Sequence, residues 1–429
     1  MLFKDITILN ENFEVEDHMY VGVEADRIEY IGKELPEKDY GRVYDGTNRL
    51  LMPGFYNTHA HSPMALMRGY GENLGLQDWL NKKIFPFEDK LTPEAVYWGT
   101  MLCMAESLRF GIVSTSDMYY FIDAMSQAVI DSGAKNNISR SIVNFTGEDF
   151  NSMDSVKEAR EGLRKYQGAA DGRIIMDASL HAEYTSDEKT ARAIAEFAKE
   201  ENLIMQVHIS ETETEQAECK ARHNGKTPIE YFNDCGLLDV PTVAAHCVWV
   251  EGEDFDIMRE KKVTVASNPI SNLKLASGIC NVPELMKNGI RVTIGTDSVA
   301  SNNSLNFLEE MKAFATLAKV RAGNPEVVTP LETIKAATIY GAEAQGRRDC
   351  GCIKEGNKAD LITIRTDVPN MRPVHNLLNN VVYSASGNDI AMTMVDGKVL
   401  YENGLYTTID IEKVISEVEN ATENILKQL

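Results

Sequence analysis

Two histidines, His59 and His61, lie two residues apart at the end of an apolar stretch that begins at Leu50. Side chains alternate between the faces of a strand, so a strand ending here would point both imidazoles the same way. Imidazole nitrogens are common ligands of zinc and other divalent transition metals. Because the chain has only eight histidines, this spacing predicts half of a metal site. The alternative is two incidental histidines near a strand end.

Other residues of the same chemical type follow other strand-like segments. They are His181, His208, His246 and Asp297, with Glu211 three residues after His208. Burying an imidazole or a carboxylate without a partner costs several kcal/mol, so such groups are paired or bind a metal. Singly, each histidine could be a core residue and Asp297 a helix cap. As a group they predict a metal centre, with Asp297 as ligand and base and Glu211 as a proton shuttle.

Three more glutamates follow Glu211 closely in the sequence. Glu213, Glu215 and Glu218 have the spacing of a solvated helical face. We therefore expect only Glu211 to take part in the chemistry.

Strand-like and helix-like segments alternate through the middle of the chain. The candidate strands begin near Leu51, Ile112, Ile138, Arg173, Leu203, Thr242, Val263 and Arg291. Eight strands alternating with helices predict a parallel TIM (β/α)8 barrel over residues 51–350. Such barrels carry their catalytic groups at the C-terminal ends of the strands, which would bring the histidines and Asp297 to one face. The alternative is an open doubly wound sheet, but Gly69-Tyr70-Gly71 lacks the expected phosphate-loop context.

Short strand-like segments occupy both ends of the chain. Residues 1–50 and 351–429 each contain too few strands for a stable domain, so we predict that they pair into one small β-sandwich domain. One of these predicted strands is Asn380–Tyr383. A helical stripe of apolar residues over Ile411–Leu429 predicts a C-terminal helix in the same domain.

The composition excludes several classes of function. The formal net charge of −22 argues against binding to nucleic acid and to anionic membrane surfaces. No apolar run has the length of a membrane span, and the N-terminus lacks the pattern of a signal peptide. The seven cysteines are scattered and odd in number, so we expect no disulfide framework and a cytoplasmic location.

The combined motifs resemble the amidohydrolase superfamily, in the branch of methylthioadenosine and S-adenosylhomocysteine deaminases and chlorohydrolase-like enzymes. The resemblance covers nearly the whole chain. The matching segments are Met52–His61, Val207–Thr212, Ala245–Cys247, Ser267–Leu275 and Gly295–Ser304.

This resemblance implies roles for the residues identified above. His59, His61, His208 and Asp297 would bind one divalent metal ion, usually zinc and sometimes iron. His246 would hydrogen-bond a metal-bound hydroxide that attacks an amino-bearing ring carbon. Asp297 would take up the proton and pass it to the leaving ammonia, while Glu211 would protonate the adjacent ring nitrogen. The fourth strand carries no lysine that could bridge two metals, which agrees with a single ion.

The resemblance also suggests substrate contacts. Trp79 and Glu88 match positions that hold the ribose, His181 and Ser301 positions at the purine edge, and Arg140 a second-shell or phosphate-side position. Ordinary packing and a surface carboxylate are the alternatives for Trp79 and Glu88. One departure is Glu183, which stands where the branch often has proline and adds a charge near His181.

The leading hypothesis is therefore a metal-dependent aminohydrolase that deaminates an adenine nucleoside, a hydrolase of C–N bonds in cyclic amidines. Adenosine, 5′-deoxyadenosine, methylthioadenosine and S-adenosylhomocysteine remain open as substrates. A guanine deaminase or a triazine chlorohydrolase is the alternative on the same scaffold. A non-catalytic relative would be expected to lack metal ligands, and none is missing here. Homo-oligomers are common on this scaffold, so assembly of identical subunits is a further expectation.

Overall fold

A computed structural model describes all 429 residues of the chain. Two sheets make up its framework, one formed mid-chain and one formed by the two ends. The strands are β1 (Leu2–Leu9), β2 (Val15–Glu24), β3 (Arg27–Gly32), β4 (Val43–Asp45), β5 (Arg49–Pro53), β6 (Phe55–Ala60), β7 (Ile112–Tyr119), β8 (Lys135–Ile142), β9 (Ile174–Leu180), β10 (Met205–Ile209), β11 (Thr242–His246), β12 (Thr264–Ser267), β13 (Arg291–Ile294), β14 (Leu361–Arg365), β15 (Ile390–Val395), β16 (Lys398–Glu402) and β17 (Leu405–Tyr406).

The α-helices lie mostly between the mid-chain strands. They are α1 (Leu76–Trp79), α2 (Phe85–Glu88), α3 (Pro93–Arg109), α4 (Ile122–Ser132), α5 (Asp154–Tyr166), α6 (Ala169–Gly172), α7 (Glu188–Glu200), α8 (Glu213–Arg222), α9 (Pro228–Asp234), α10 (Asp254–Glu260), α11 (Pro269–Lys274), α12 (Val282–Lys287), α13 (Phe307–Ala322), α14 (Pro330–Ala337), α15 (Ile339–Ala344), α16 (Leu377–Tyr383) and α17 (Ile411–Leu426). None of them is both long enough and apolar enough to span a membrane.

The mid-chain sheet is the predicted parallel barrel. Strands β6 to β13 pair with their sequence neighbours in one parallel order. The last strand returns to the first, where the Thr58 hydroxyl donates to the carbonyl of Ile294 at 3.0 Å. The strands are almost wholly buried, because helices cover the outside and side chains fill the inside. The prediction of an eight-stranded (β/α)8 barrel is confirmed.

The chain ends pair with each other, as predicted, and form a nine-stranded mixed sheet. Its order is β17-β16-β15-β14-β5-β1-β2-β3, with β4 on the side of β1. The sheet has a core of its own, built from 14 buried residues that include Phe3, Ile28 and Met394. The C-terminal helix α17 instead packs on the barrel helix α3. Helix α3 also contacts β15 and β16, so α17 and the terminal sheet meet the barrel at the same helix.

A buried ion cluster joins the two sheets. Lys135, at the start of β8, contacts Asp360 beside β14 and lies 2.7 Å from the carboxylate of Asp396. The Tyr56 hydroxyl of β6 donates to Asp360 at 2.7 Å. These groups are almost fully buried, so their charges and hydrogen bonds depend on one another.

The strand that carries the first histidine pair begins differently from our expectation. We predicted one strand starting near Leu51, but the chain breaks at Gly54 into β5 and β6. The backbone N–H of Gly54 still donates to Asp360 beside the terminal sheet, whereas that of Phe55 donates to Gly111 beside the barrel. A Cβ at Gly54 would lie 2.3 Å from Val113, so only glycine fits at this crossing.

The predicted strand Asn380–Tyr383 is wrong, because these residues lie in helix α16. The Asn376 side chain accepts a hydrogen bond from the backbone N–H of Asn379 at 3.1 Å and so caps the helix. Val381 and Val382 are buried on one side of it. Their β-branched pattern suggested a strand, but the cap and tertiary packing favour a helix.

Candidate active site

The seam that closes the barrel brings the first and last strands together at their C-terminal ends. The backbone N–H of Asp297 donates to the carbonyl of His59 at 3.0 Å. Gly295 permits this approach, because a Cβ there would lie 2.9 Å from the Cβ of His59. Two residues that are 238 positions apart in the sequence are thereby held side by side.

Four side chains converge at this seam. One carboxylate oxygen of Asp297, Oδ1, lies 3.5 Å from Nε2 of His59 and 3.3 Å from Nε2 of His61. His208 Nε2 is 3.3 Å from His61 Nε2. Potential ligand atoms of His59, His61 and His208 all lie within 4.8 Å of one another, as do those of His59, His246 and Asp297. The structure therefore brings the four predicted metal ligands into one cluster.

Hydrogen bonds fix how two of these imidazoles point. Nδ1 of His61 contacts the carbonyl of Met118 at 2.8 Å, and Nδ1 of His208 contacts the carbonyl of His181 at 2.7 Å. A carbonyl only accepts, so Nδ1 carries the proton in both rings and Nε2 presents its lone pair to the cluster. This orientation is typical of histidines that bind a metal.

Burial and contacts within the cluster shift the pKa values of its four members. Burial lowers the pKa of His59 to about 4 and, together with the neighbouring imidazoles, holds that of His208 well below its usual value. Burial opposes ionisation of Asp297, but its contacts with His59 and His61 outweigh burial and hold its pKa well below normal. Nε2 of His59 is buried without a hydrogen-bond partner. Burial opposes protonation of His61, but its contact with the Asp297 carboxylate outweighs burial and raises its pKa. Three imidazoles and an ionised carboxylate around an unpartnered nitrogen fit a divalent cation.

Hydroxyl groups hold the Asp297 carboxylate in place. Ser271 Oγ donates to Oδ2 at 2.5 Å and Ser301 Oγ donates to the same oxygen at 3.1 Å. The other oxygen, Oδ1, accepts from the backbone N–H of Ser298 at 2.8 Å and faces the histidines. The residue adopts a left-handed backbone conformation with φ of +59°. Its two oxygens are thus assigned to different neighbours.

Glu211 and His246 form a second pair beside the cluster. Glu211 Oε2 lies 3.8 Å from His246 Nε2, and Oε1 accepts from the hydroxyl of Ser277 at 3.3 Å. Nδ1 of His246 contacts Oδ1 of Asn272 at 2.8 Å. Burial raises the pKa of Glu211 above its ordinary value. A carboxyl group that retains a proton nearer neutral pH is suited to general acid and base chemistry.

Glu215 is buried, so our expectation of a solvated face is wrong for this residue. Its carboxylate accepts from the backbone N–H of Ser210 at 2.9 Å and of Glu211 at 2.7 Å. The signal in the sequence is Thr212 followed three residues later by Glu215, the pattern of a capping box. Thr212 does cap helix α8 through the N–H of Glu215. The glutamate reaches back past the cap because Ser210 turns the chain with φ of +51°.

A cavity of about 590 Å³ opens above the cluster of His59, His61, His208 and Asp297. Trp79, Glu88 and His181 all lie on its wall, as do Glu211 and His246. Glu88 accepts hydrogen bonds from Tyr119 at 2.7 Å and Tyr120 at 3.3 Å, and burial raises its pKa to about 7. Burial lowers the pKa of His181 to about 3, so this imidazole is neutral.

Two expected substrate contacts do not lie on the cavity wall. Ser141 of strand β8 faces the cavity, so alternation turns its neighbour Arg140 outward. Arg140 Nε donates to Glu158 at 2.6 Å, and its guanidinium lies 4.6 Å from the centroid of the Tyr120 ring. The Ser301 hydroxyl donates its hydrogen bond to Asp297 and is not directed at the purine edge.

Glu183 does not add charge to the cavity. Its buried carboxylate accepts from Arg222 at 2.5 Å and contacts Nε2 of His223 at 2.6 Å. Both partners belong to the end of helix α8, so the glutamate ties the loop after β9 to the helix that follows Glu211.

Comparison with known proteins agrees with this geometry. Residues 50–400 match the amidohydrolase family. The chain is 38% identical over 431 residues to a 5-methylthioadenosine/S-adenosylhomocysteine deaminase of Thermoanaerobacter pseudethanolicus, covering all of both chains. It is 39% identical over 390 residues to a 5′-deoxyadenosine deaminase of Methanopyrus kandleri, covering 91% of this chain and 87% of the relative. A solved adenosine deaminase of Xanthomonas campestris with bound zinc superposes with a TM-score of 0.92 at 28% identity, covering 99% of this chain and 98% of the other.

Proposed function

The chain belongs to the amidohydrolase family, and from this premise we propose that it deaminates an adenine nucleoside by metal-dependent hydrolysis. The products are the inosine derivative and ammonia. The observation that carries the proposal is the meeting of three imidazoles and the Asp297 carboxylate beside Glu211, at the base of a cavity of about 590 Å³. The named deaminases among the relatives supply the substrate class.

The ligands of the metal would be His59, His61, His208 and Asp297. Three imidazole nitrogens and one carboxylate are a donor set that suits a single Zn²⁺. We favour zinc also because the Xanthomonas campestris structure contains it. A divalent ion held there would lower the pKa of a bound water to about 7 and supply a nucleophile at neutral pH.

Glu211 and Asp297 would then transfer protons, and His246 would face the reacting groups. Glu211, whose pKa is raised by burial, donates a proton to the ring nitrogen next to the reacting carbon. Asp297 accepts a proton from the attacking water and passes it to the departing amino group. His246 directs Nε2 toward this space because Nδ1 donates to Asn272. Each proton transfer takes place inside the cavity, where water is largely excluded.

The remaining wall would hold the nucleoside. Trp79 offers a broad apolar face, and the Glu88 carboxylate is an acceptor for ribose hydroxyl groups. His181 is neutral, with its Nδ1 buried and unpartnered, so it can hydrogen-bond the purine edge.

The direct test is ammonia release by the zinc-loaded protein from adenosine, 5′-deoxyadenosine and 5′-methylthioadenosine, with guanine and a chlorotriazine as comparison substrates. We expect activity on the nucleosides and about one bound divalent ion per chain by elemental analysis. Activity on guanine or the triazine alone would overturn the substrate class. A protein without stoichiometric metal and without activity would overturn the enzyme itself.

A further inference from the structure

The wall of the active-site cavity carries no lysine or arginine. Eleven of its 20 residues are hydrophobic, and its carboxylates are Glu88, Glu211 and Asp297. Glu88, with a pKa of about 7, is partly ionised near neutral pH. A bound metal would offset charge at the reacting end only. The rest of the wall offers an anion no cationic partner.

The basic side chains around the cavity are already paired with other groups. Arg140 is held by Glu158 and by the ring of Tyr120. Lys83 lies 5.0 Å from the centroid of the Tyr70 ring. Four more cations make ion pairs and do not line the cavity: Arg68 with Glu106, Lys82 with Asp78, Lys274 with Glu72 and Arg222 with Glu183.

The chemistry of the substrate says which part of this wall the 5′ group meets. The amino-bearing carbon must reach the cluster of histidines and Asp297, and the ribose is attached to the opposite side of the purine. The ribose and its 5′ substituent therefore extend toward the outer wall, which includes Leu76, Leu80, Ile84 and Phe85. Phe85 lies 6.5 Å, between ring centroids, from Phe145, which is 67% exposed and so marks the rim. Between residues 76 and 88 the lining side chains are apolar apart from Glu88.

We propose, on the basis of the proposed function, that this site selects adenine nucleosides with an uncharged, apolar 5′ substituent. Hydrogen or a methylthio group fits the wall. A homocysteine tail does not, because its carboxylate would lose water without gaining a cation. Leaving a charged group buried without a partner is more costly than leaving a neutral one, so we expect discrimination of at least about tenfold in kcat/KM.

The test compares kcat/KM for four nucleosides: 5′-deoxyadenosine, 5′-methylthioadenosine, 5′-butylthioadenosine and S-adenosylhomocysteine. The butylthio compound has a tail of similar length without charge. We expect it to be used nearly as well as 5′-methylthioadenosine and S-adenosylhomocysteine at least about tenfold less well. Equal use of all four would leave the proposed function standing and overturn the selectivity. Equal loss for the two long tails would also overturn it, because length and not charge would then decide. No ammonia from any of them would end the proposed function and this inference together.

A gain of function tests the charge directly. Phe145→Arg places a cation at the rim on an exposed position, and Phe145→Gln is the matched polar control. We expect the ratio of kcat/KM for S-adenosylhomocysteine to that for 5′-methylthioadenosine to rise several-fold in the arginine variant only, and to fall back with added salt. A ratio that stays unchanged, or that rises equally in both variants, would contradict the proposal.

Discussion

The Glu215 carboxylate accepts a hydrogen bond from the backbone N–H of Glu211 at 2.7 Å, so one buried glutamate positions another. It accepts a second from Ser210. Glu211 is thus fixed at both ends, by Glu215 through its backbone and by Ser277 through its side chain. Proton transfer depends on such placement, because a displacement of about 1 Å can cost roughly 100-fold in rate.

Glu215→Gln should therefore lower kcat by about 10- to 100-fold with little change in KM. The amide retains one acceptor oxygen and sets an NH2 group against a backbone N–H. Steady-state ammonia release measures both constants. A purely structural role would instead lower the melting temperature and leave the kcat of the folded fraction intact.

Glu211→Gln should lower kcat by about two to four orders of magnitude, the usual share of general acid and base catalysis. Its metal content should stay that of the parent, because Glu211 is not among the expected ligands. Glu213→Gln is the matched control, since Glu213 is exposed two residues away. Similar losses in both variants would exclude a specific role for Glu211.

Ser271→Ala should weaken metal binding by about 10- to 100-fold, as removal of a hydrogen bond to a metal ligand typically does. Ser271 donates to the Asp297 carboxylate at 2.5 Å. Competition with a chelator measures the affinity. Ser277→Ala, which removes a hydroxyl next to Glu211, should leave metal affinity unchanged. Equal affinities in the Ser271 variant and the parent would contradict a cation at Asp297.

Asp177→Asn should stabilise the protein in a pH-dependent way. Asp177 is buried inside the barrel, where it accepts from Gln206 at 2.8 Å, and burial raises its pKa to about 7. A raised acid pKa destabilises the folded state progressively as the pH rises from about 4 to 7. The gain from the amide should be absent near pH 4 and reach roughly 2–4 kcal/mol above pH 7. Urea unfolding at several pH values measures it, and a gain independent of pH would refute the assignment.

Lys135→Met should destabilise the protein by about 3–5 kcal/mol, because it leaves Asp360 buried without its cation and Asp396 with only Lys358 at 3.5 Å. Lys157→Met removes an exposed pair with Asp154 and should cost far less. Chemical denaturation compares the two variants. Similar small losses would show that the cluster between the sheets contributes little.

Periodicity predicted most of the site because two rules act together. Alternation places His59 and His61 on one face, and the barrel places all strand ends on one side, so residues far apart in the sequence share a location. The same alternation also turns Arg140 outward, a consequence that the resemblance alone obscured. Strand and helix propensities were less informative where tertiary contacts dominate, as for Asn380–Tyr383. The division at residues 50 and 350 stays a prediction.

Contacts made beyond the strand ends could not be predicted in this way. Glu215 lies in the first turn of helix α8 and Ser301 in a loop, and their partners depend on the local backbone, for example the left-handed turns at Ser210 and Asp297. A solvated glutamate and a buried one occupy the same helical spacing. Only three-dimensional placement separates them.

After the crossing at Gly54, the number of residues up to His59 decides which face of β6 the imidazole lies on. The terminal sheet grips the chain at Pro53 through β14, and five residues beyond Gly54 the first imidazole must face inward. One residue added to or removed from Phe55–Thr58 would reverse the facing of His59 and His61 together. The number of residues in this short span is therefore constrained by the site itself.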